Sequence, residues 1–134
     1  MPHLIVEYSG NLEKQLDMPA ILRVVHDAAL ATGVFPFGGI RTRGERRDLY
    51  LIADAHPDNG FIHVQARIGT GRSAETRQQA GEQIFAALQR ATAAHFAKHP
   101  IGLTLEICEI DPVGAGKLNN VHDYVAARTK QQAS

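Results

Sequence analysis

Hydrophobic and polar positions alternate from the first residues, with Leu4, Val6 and Tyr8 interleaved with His3, Ile5 and Glu7. That is the period of a β-strand. After a polar loop the period changes. Asp17 stands where a helix N-cap belongs, with Pro19 in the first turn, where a missing N–H leaves nothing unsatisfied. Ile21, Val25 and Ala28, backed by Leu22 and Ala29, then recur at helical spacing, and Gly33 follows as the residue that ends a helix. Phe35-Pro36-Phe37-Gly38-Gly39 is a turn, and a second strand region starts at Ile40, charged from Arg41 to Asp48 and apolar from Leu49 to Ala53.

Residues 55–60, Ala-His-Pro-Asp-Asn-Gly, break the pattern, and the order then repeats. Ile62, Val64, Ala66 and Ile68 alternate as a third strand, Gly69-Thr70-Gly71 turns the chain, and Ser73 caps a helix from Ala74 to about Lys98. Ile84, Leu88, Ala91 and His95 share one face of that helix, and Pro100 stops it. Ile101, Leu103, Leu105 and Ile107 mark a fourth strand; 114–116 is a glycine loop, and 126–134 reads as a flexible tail. Strand–helix–strand occurs twice, in halves at about 2–57 and 61–112 of a single domain, 1–134. Right-handed crossovers make the two strands of each half parallel. The expected fold is α/β, more narrowly α+β: a tandem β-α-β repeat forming a four-stranded mixed sheet with two helices on one face. The other sheet face needs cover, and oligomerisation supplies it.

Composition narrows the function by exclusion. The 134 residues, 44% of them apolar, suffice for one modest core. Fourteen basic side chains balance fourteen acidic ones, so no electrostatic footprint for nucleic acid or anionic lipid exists. No run approaches the ~20 apolar residues that span a bilayer, and no apolar leader follows the amino terminus; the reading is no membrane and a cytoplasmic location. The lone Cys108 lies in an apolar run and reads as an inert core thiol.

Several motifs carry little. Gly69-Thr70-Gly71-Arg72-Ser73-Ala74 has the letters of a dinucleotide fingerprint, but the chain is short for that domain and Arg72 occupies the turn that must approach a pyrophosphate. A glycine-framed turn presenting Arg72 beside a helix N-terminus, where anions are favoured, fits better. Gly116-Lys117 is no P-loop, since Asp111 stands where its first glycine belongs. His95 and His99 are one helical turn apart without an evident third ligand, so no metal site is expected; His3, His63 and His122 read as structural. Phe35, Phe37 and Tyr124 read as core packing, with an apolar wall that lowers the pKa of the Pro2 amine as the alternative. Arg43, Arg46 and Arg47 read as a solvated strand edge, with a pocket mouth as the alternative.

Pro2 carries more. Methionine is generally trimmed before a residue this small, which leaves a secondary amine held by its own ring at the start of a strand. Such an amine is a base; with Met1 retained it is an amide and is not.

Pro2 leading a strand, Gly39-Ile40-Arg41, Gly69-Thr70-Gly71-Arg72-Ser73 and Asn119-Asn120-Val121-His122 together resemble the 5-carboxymethyl-2-hydroxymuconate isomerase family of the tautomerase superfamily, from Pro2 to about Tyr124. The second half also resembles a whole 4-oxalocrotonate tautomerase subunit. The resemblance implies a homotrimer with sheets lining its inside. It implies a proton moved along a conjugated 2-hydroxydienoate in homoprotocatechuate catabolism, with no cofactor and a small di- or tricarboxylate substrate. It implies Pro2 as acid/base, and Arg41 and Arg72 on substrate carboxylates and developing charge. A phenylpyruvate-type tautomerase and a non-catalytic trimeric acid-binding protein are the alternatives.

Overall fold

In a computed structural model, described over residues 1–133, the chain forms one four-stranded sheet with its principal helices on one side. β1 (His3–Ser9) leads through a 3₁₀ turn, Gly10–Lys14, into α1 (Met18–Ala31). A second 3₁₀ turn, Phe37–Gly39, precedes β2 (Arg41–Arg47). β3 (Gly60–Ile68), α2 (Ala74–Phe96) and β4 (Ile101–Glu109) repeat the unit, and α3 (Val121–Ala133) follows. The strand order is β2-β1-β3-β4. β1 pairs parallel with β2 and β3 with β4, while β1 and β3 run antiparallel, with Val6 opposite Val64. Each half is thus a parallel β-α-β unit, and the two halves meet head to tail at the centre of the sheet.

The period-2 pattern determines which side is buried. Leu4 and Val6, with Ile62, Val64, Ala66 and Ile68, lie wholly within the core against Ile21, Val25 and Ala29 of α1 and Ile84 and Leu88 of α2. Full burial of one such aliphatic side chain contributes roughly 1.5–3 kcal/mol. The expected caps are in place. Asp17 accepts a hydrogen bond from the Ala20 amide at 3.1 Å, and Ser73 accepts one from Thr76 at the same distance. Gly33 closes α1 with φ +69°, a left-handed conformation that glycine adopts without strain.

Five expectations change. The stripe of α2 passes through Thr92, not Ala91: Ala91 is exposed, and the buried Thr92 hydroxyl donates to the Leu88 carbonyl at 2.8 Å. Cys108 is half-buried on the side of the sheet away from the helices, and no core thiol exists there. The second strand ends at Arg47. Leu49 and Leu51 beyond it are 97% and 87% exposed, and Ala53 and Ala55 take positive φ, which no strand allows.

The sheet face opposite the helices carries no row of Leu and Val, because strict alternation has sent those residues to the helix side. It is largely polar: His63 lies 2.6 Å from the Thr104 hydroxyl, and Gln65 donates to Glu106. Residues 126–133 are helical, where an irregular tail was expected, and Ser134 lies outside the described residues. Ala126, Ala127, Arg128, Lys130 and Gln131 favour a helix intrinsically, and the Asn119 side chain accepts from the Val121 amide at 3.0 Å at its start.

Candidate active site

The sheet brings the amino terminus between the two halves. The Arg41 amide donates to the Pro2 carbonyl at 2.9 Å, which extends the parallel ladder to residue 2. On the other flank His3 lies opposite Arg67, so the turn after β3 passes the same end of the sheet. Pro2 is buried and Met1 half-buried. Gly39 packs beside them: a Cβ there would lie in ordinary van der Waals contact with Pro2 Cδ, at 3.4 Å.

Two guanidiniums flank this end, and both are held by neutral oxygens. Arg41 Nη1 donates to the Gly38 carbonyl at 3.0 Å, and its Nη2 donates to Asn119 Oδ1 at 2.9 Å and approaches Met1 Sδ at 3.5 Å. Asn119 also donates from Nδ2 to the Gly38 carbonyl at 3.0 Å, so one amide ties the start of α3 to the turn before β2. Gly38 permits that docking, since a Cβ there would stand 2.5 Å from His122 Cβ. Arg72 donates from Nη1 to Gly69 at 3.3 Å and from Nη2 to Val34 at 3.3 Å, and its guanidinium carbon sits 5.2 Å from the centre of the Phe35 ring. The turn arginine of the second half therefore bonds to the loop after α1 of the first half within a single chain.

A cavity of about 350 Å³ opens beside the amino terminus, with Met1, His3, Gly69, Thr70, Ile110 and Lys117 among its walls. Lys117 is the cation on that wall; Arg41 and Arg72 act from outside it. Burial, then the charges of Lys117, Arg72 and Arg41 in that order, hold the pKa of the Met1 ammonium below its ordinary value of 8.0. Each of these effects disfavours the protonated form. His3 is lowered as well, chiefly by burial and then by Arg43, whose Nη1 lies 3.0 Å from His3 Nδ1.

Lys117 and Asn119 are the residues that sequence reasoning missed. Lys117 drew notice only as a failed P-loop letter, and nothing local reveals that its loop folds back to residue 1. Asn119 belongs to a noticed motif, but its guanidinium partner is 78 positions away. Phe35 is buried as expected, whereas Phe37 and Tyr124 are exposed and pack no core: both lie where α3 and its docking turn meet solvent. His95 and His99 stack with ring centres 4.6 Å apart, and no group of three metal-ligating side chains occurs among the described residues. Arg46 pairs with Glu13 and Asp48, and Arg47 with Glu7 and Glu45.

Two paired β-α-β units with an amino-terminal strand at their seam make up the fold of the tautomerase superfamily. A fused 4-OT symmetric trimer shares this fold at 16% identity, with a TM-score of 0.59 over 87% of this chain and 93% of its own. Nearer relatives define the family. The model of 5-carboxymethyl-2-hydroxymuconate isomerase matches residues 2–125. A 5-carboxymethyl-2-hydroxymuconate Delta-isomerase of Escherichia coli is 41% identical over 122 residues, 91% of this chain and 97% of that protein. A crystal structure of a 5-carboxymethyl-2-hydroxymuconate isomerase from Deinococcus radiodurans R1 superposes with a TM-score of 0.85 at 38% identity, covering 92% of this chain and 93% of that one. The chain belongs to the 5-carboxymethyl-2-hydroxymuconate isomerase family, and it is an enzyme of that isomerase kind.

Proposed function

We propose that the protein converts 5-carboxymethyl-2-hydroxymuconate to its 2-oxo-ene form, in the breakdown of aromatic acids, with the nitrogen of Pro2 as acid and base once Met1 is removed. The observation that carries this reading is the Met1 amino group, one residue before Pro2, set beside a cavity with its ammonium form disfavoured by burial and by three cations; removal of Met1 exposes the Pro2 nitrogen to the same surroundings. An ordinary α-amino group, with a pKa near ~8, is only about one-tenth neutral at pH 7. Each unit of lowering enlarges the neutral fraction until most of the amine is free. The neutral nitrogen takes the proton of the 2-hydroxyl, C2 becomes a carbonyl, and electron density moves along the diene. The ammonium so formed returns a proton to the far carbon of the diene, which leaves nitrogen neutral and the substrate isomerised. A positioned base of this kind supplies about 10²–10⁴-fold.

Arg41 and Arg72 bind substrate carboxylates and the oxygen that gains charge in the dienolate. Neither guanidinium serves as the acid, because it stays protonated. Both are held by carbonyl or amide oxygens, which fix their direction and leave their charge for an anion. Three cations suit a tricarboxylate better than the single carboxylate of a phenylpyruvate-type substrate.

The protein acts as a homotrimer. Leu49 and Leu51, 97% and 87% exposed, are an apolar run of the kind that association covers. The loss of dienol absorbance in a spectrophotometer tests the reading. 5-Carboxymethyl-2-hydroxymuconate should turn over faster than phenylenolpyruvate, and intact mass should show the active protein without Met1. Full activity in a sample that retains Met1 throughout would remove Pro2 from the chemistry.

A further inference from the structure

Three positive charges act on the amino-terminal nitrogen, and they are held in different ways. The Arg72 guanidinium is fixed by the carbonyls of Val34 and Gly69 and lies over Phe35. The Arg41 guanidinium is fixed by Gly38 and Asn119. Both are therefore rigid, each with much of its donor capacity already spent on the protein. Lys117 has no hydrogen-bond or ion-pair partner among the described residues, although it stands on the cavity wall facing Met1 and its charge is the strongest of the three at the amino nitrogen. It sits in a loop with Ala115 and Gly116 that lines the same cavity. An ammonium on a flexible stem, free of carboxylates, adapts its reach to an anion that a fixed fork misses.

We infer that Lys117 forms the subsite for the carboxylate by which a tricarboxylate ligand differs from a dicarboxylate one, and so sets which acids this enzyme prefers. The inference rests on the proposed reaction site and deepens it. Arg41 and Arg72 orient the part of the substrate that reacts, and Lys117 reads the additional acidic arm from the cavity wall. The match is one cation for each carboxylate. Loss of Lys117 then removes affinity only for ligands that carry the third charge, which no general weakening of the site does.

The test compares two stable acids of one skeleton, glutarate and tricarballylate, which differ by a single carboxylate. Their binding to the full chain is measured by calorimetry at constant ionic strength, beside Lys117→Met and Lys117→Arg. The wild type should bind tricarballylate at least about tenfold more tightly than glutarate, the effect of one charge-assisted contact. Lys117→Met should lose that preference with glutarate affinity unchanged, and Lys117→Arg should keep most of it. Lys117 lies in an exposed loop, so the folded state survives the change, and circular dichroism verifies that. A preference that persists in Lys117→Met overturns the inference, as does an equal weakening of both acids. If the wild type binds neither acid, the carboxylate site itself is wrong, and the inference falls with it.

Discussion

Arg41 and Arg47 stand at opposite ends of one strand and show two fates for the same side chain. Arg47 donates to the carboxylates of Glu7 and Glu45, at 2.7 Å in each case, and its charge is neutralised at the surface. Arg41 donates to a carbonyl and to the Asn119 amide, and its charge is left standing. Arg46, paired with Glu13 and Asp48, repeats the first pattern, and Arg72, on Val34 and Gly69, repeats the second. Carboxylate partners raise the pKa of Arg46 and Arg47, first through the hydrogen bonds these donate to Asp48 and Glu7 respectively. Carbonyl partners fix a guanidinium in place without consuming its electrostatics. The difference separates arginines whose charge is spent on carboxylates from those whose charge is not, and the second kind falls at the end of the sheet where the amino terminus lies.

The sharpest way to break this contrast is to remove what the standing charges act on. Pro2→Ala keeps a primary amine after processing but loses the ring, and kcat/KM should drop by about 10²–10⁴-fold. Undiminished turnover would take Pro2 out of the mechanism. Arg72→Ala should raise KM and lower kcat, a combined loss of about ten- to a hundredfold for one charge-assisted contact. Unaltered steady-state kinetics would place Arg72 with the structural arginines.

Asn119→Asp is the more pointed change, because it turns the Arg41 environment into that of Arg47. The bond from Arg41 survives while its charge is cancelled, and the Nδ2 bond to Gly38 is lost in Asn119→Asp and Asn119→Ala alike, so kcat/KM should fall by about tenfold, more than in Asn119→Ala, with the rate profile displaced to higher pH. Equal losses in the two variants would mean that position matters and charge does not. Smallest of all, Glu7→Gln with Glu45→Gln frees the Arg47 charge far from the cavity, and kcat/KM should stay at the wild-type level.

Much of this fold was legible because its signals are local. The alternation through Leu4, Val6 and Tyr8, the cap at Asp17 and the stop at Gly33 each act within a few residues. The parallel pairing inside each half follows from the helical crossover that joins its two strands. The errors share one cause, which is dependence on distant partners. Leu49 to Ala53 has strand composition, yet no neighbour pairs with it beyond Arg47, and the backbone turns left-handed at Ala53.

The last helix is too polar to show a core stripe; it is fixed by the close approach of His122 to Gly38, some eighty residues upstream. The site divides along the same line. Pro2, Arg41 and Arg72 emerged from motif order, and the sheet brings their backbones to one end. The partners that separate Arg41 from Arg47 are a carbonyl, an amide and two glutamates, and only folding reveals which guanidinium receives which.

A direct titration of the Pro2 nitrogen decides whether standing charge keeps that amine neutral at working pH. In Met1-free protein labelled with ¹⁵N-proline, the nitrogen resonance is followed against pH by NMR. The midpoint should lie below the ordinary α-amino value of ~8 and should rise toward it in Arg72→Ala. A midpoint at or above the ordinary value, unmoved by the loss of Arg72, would contradict it.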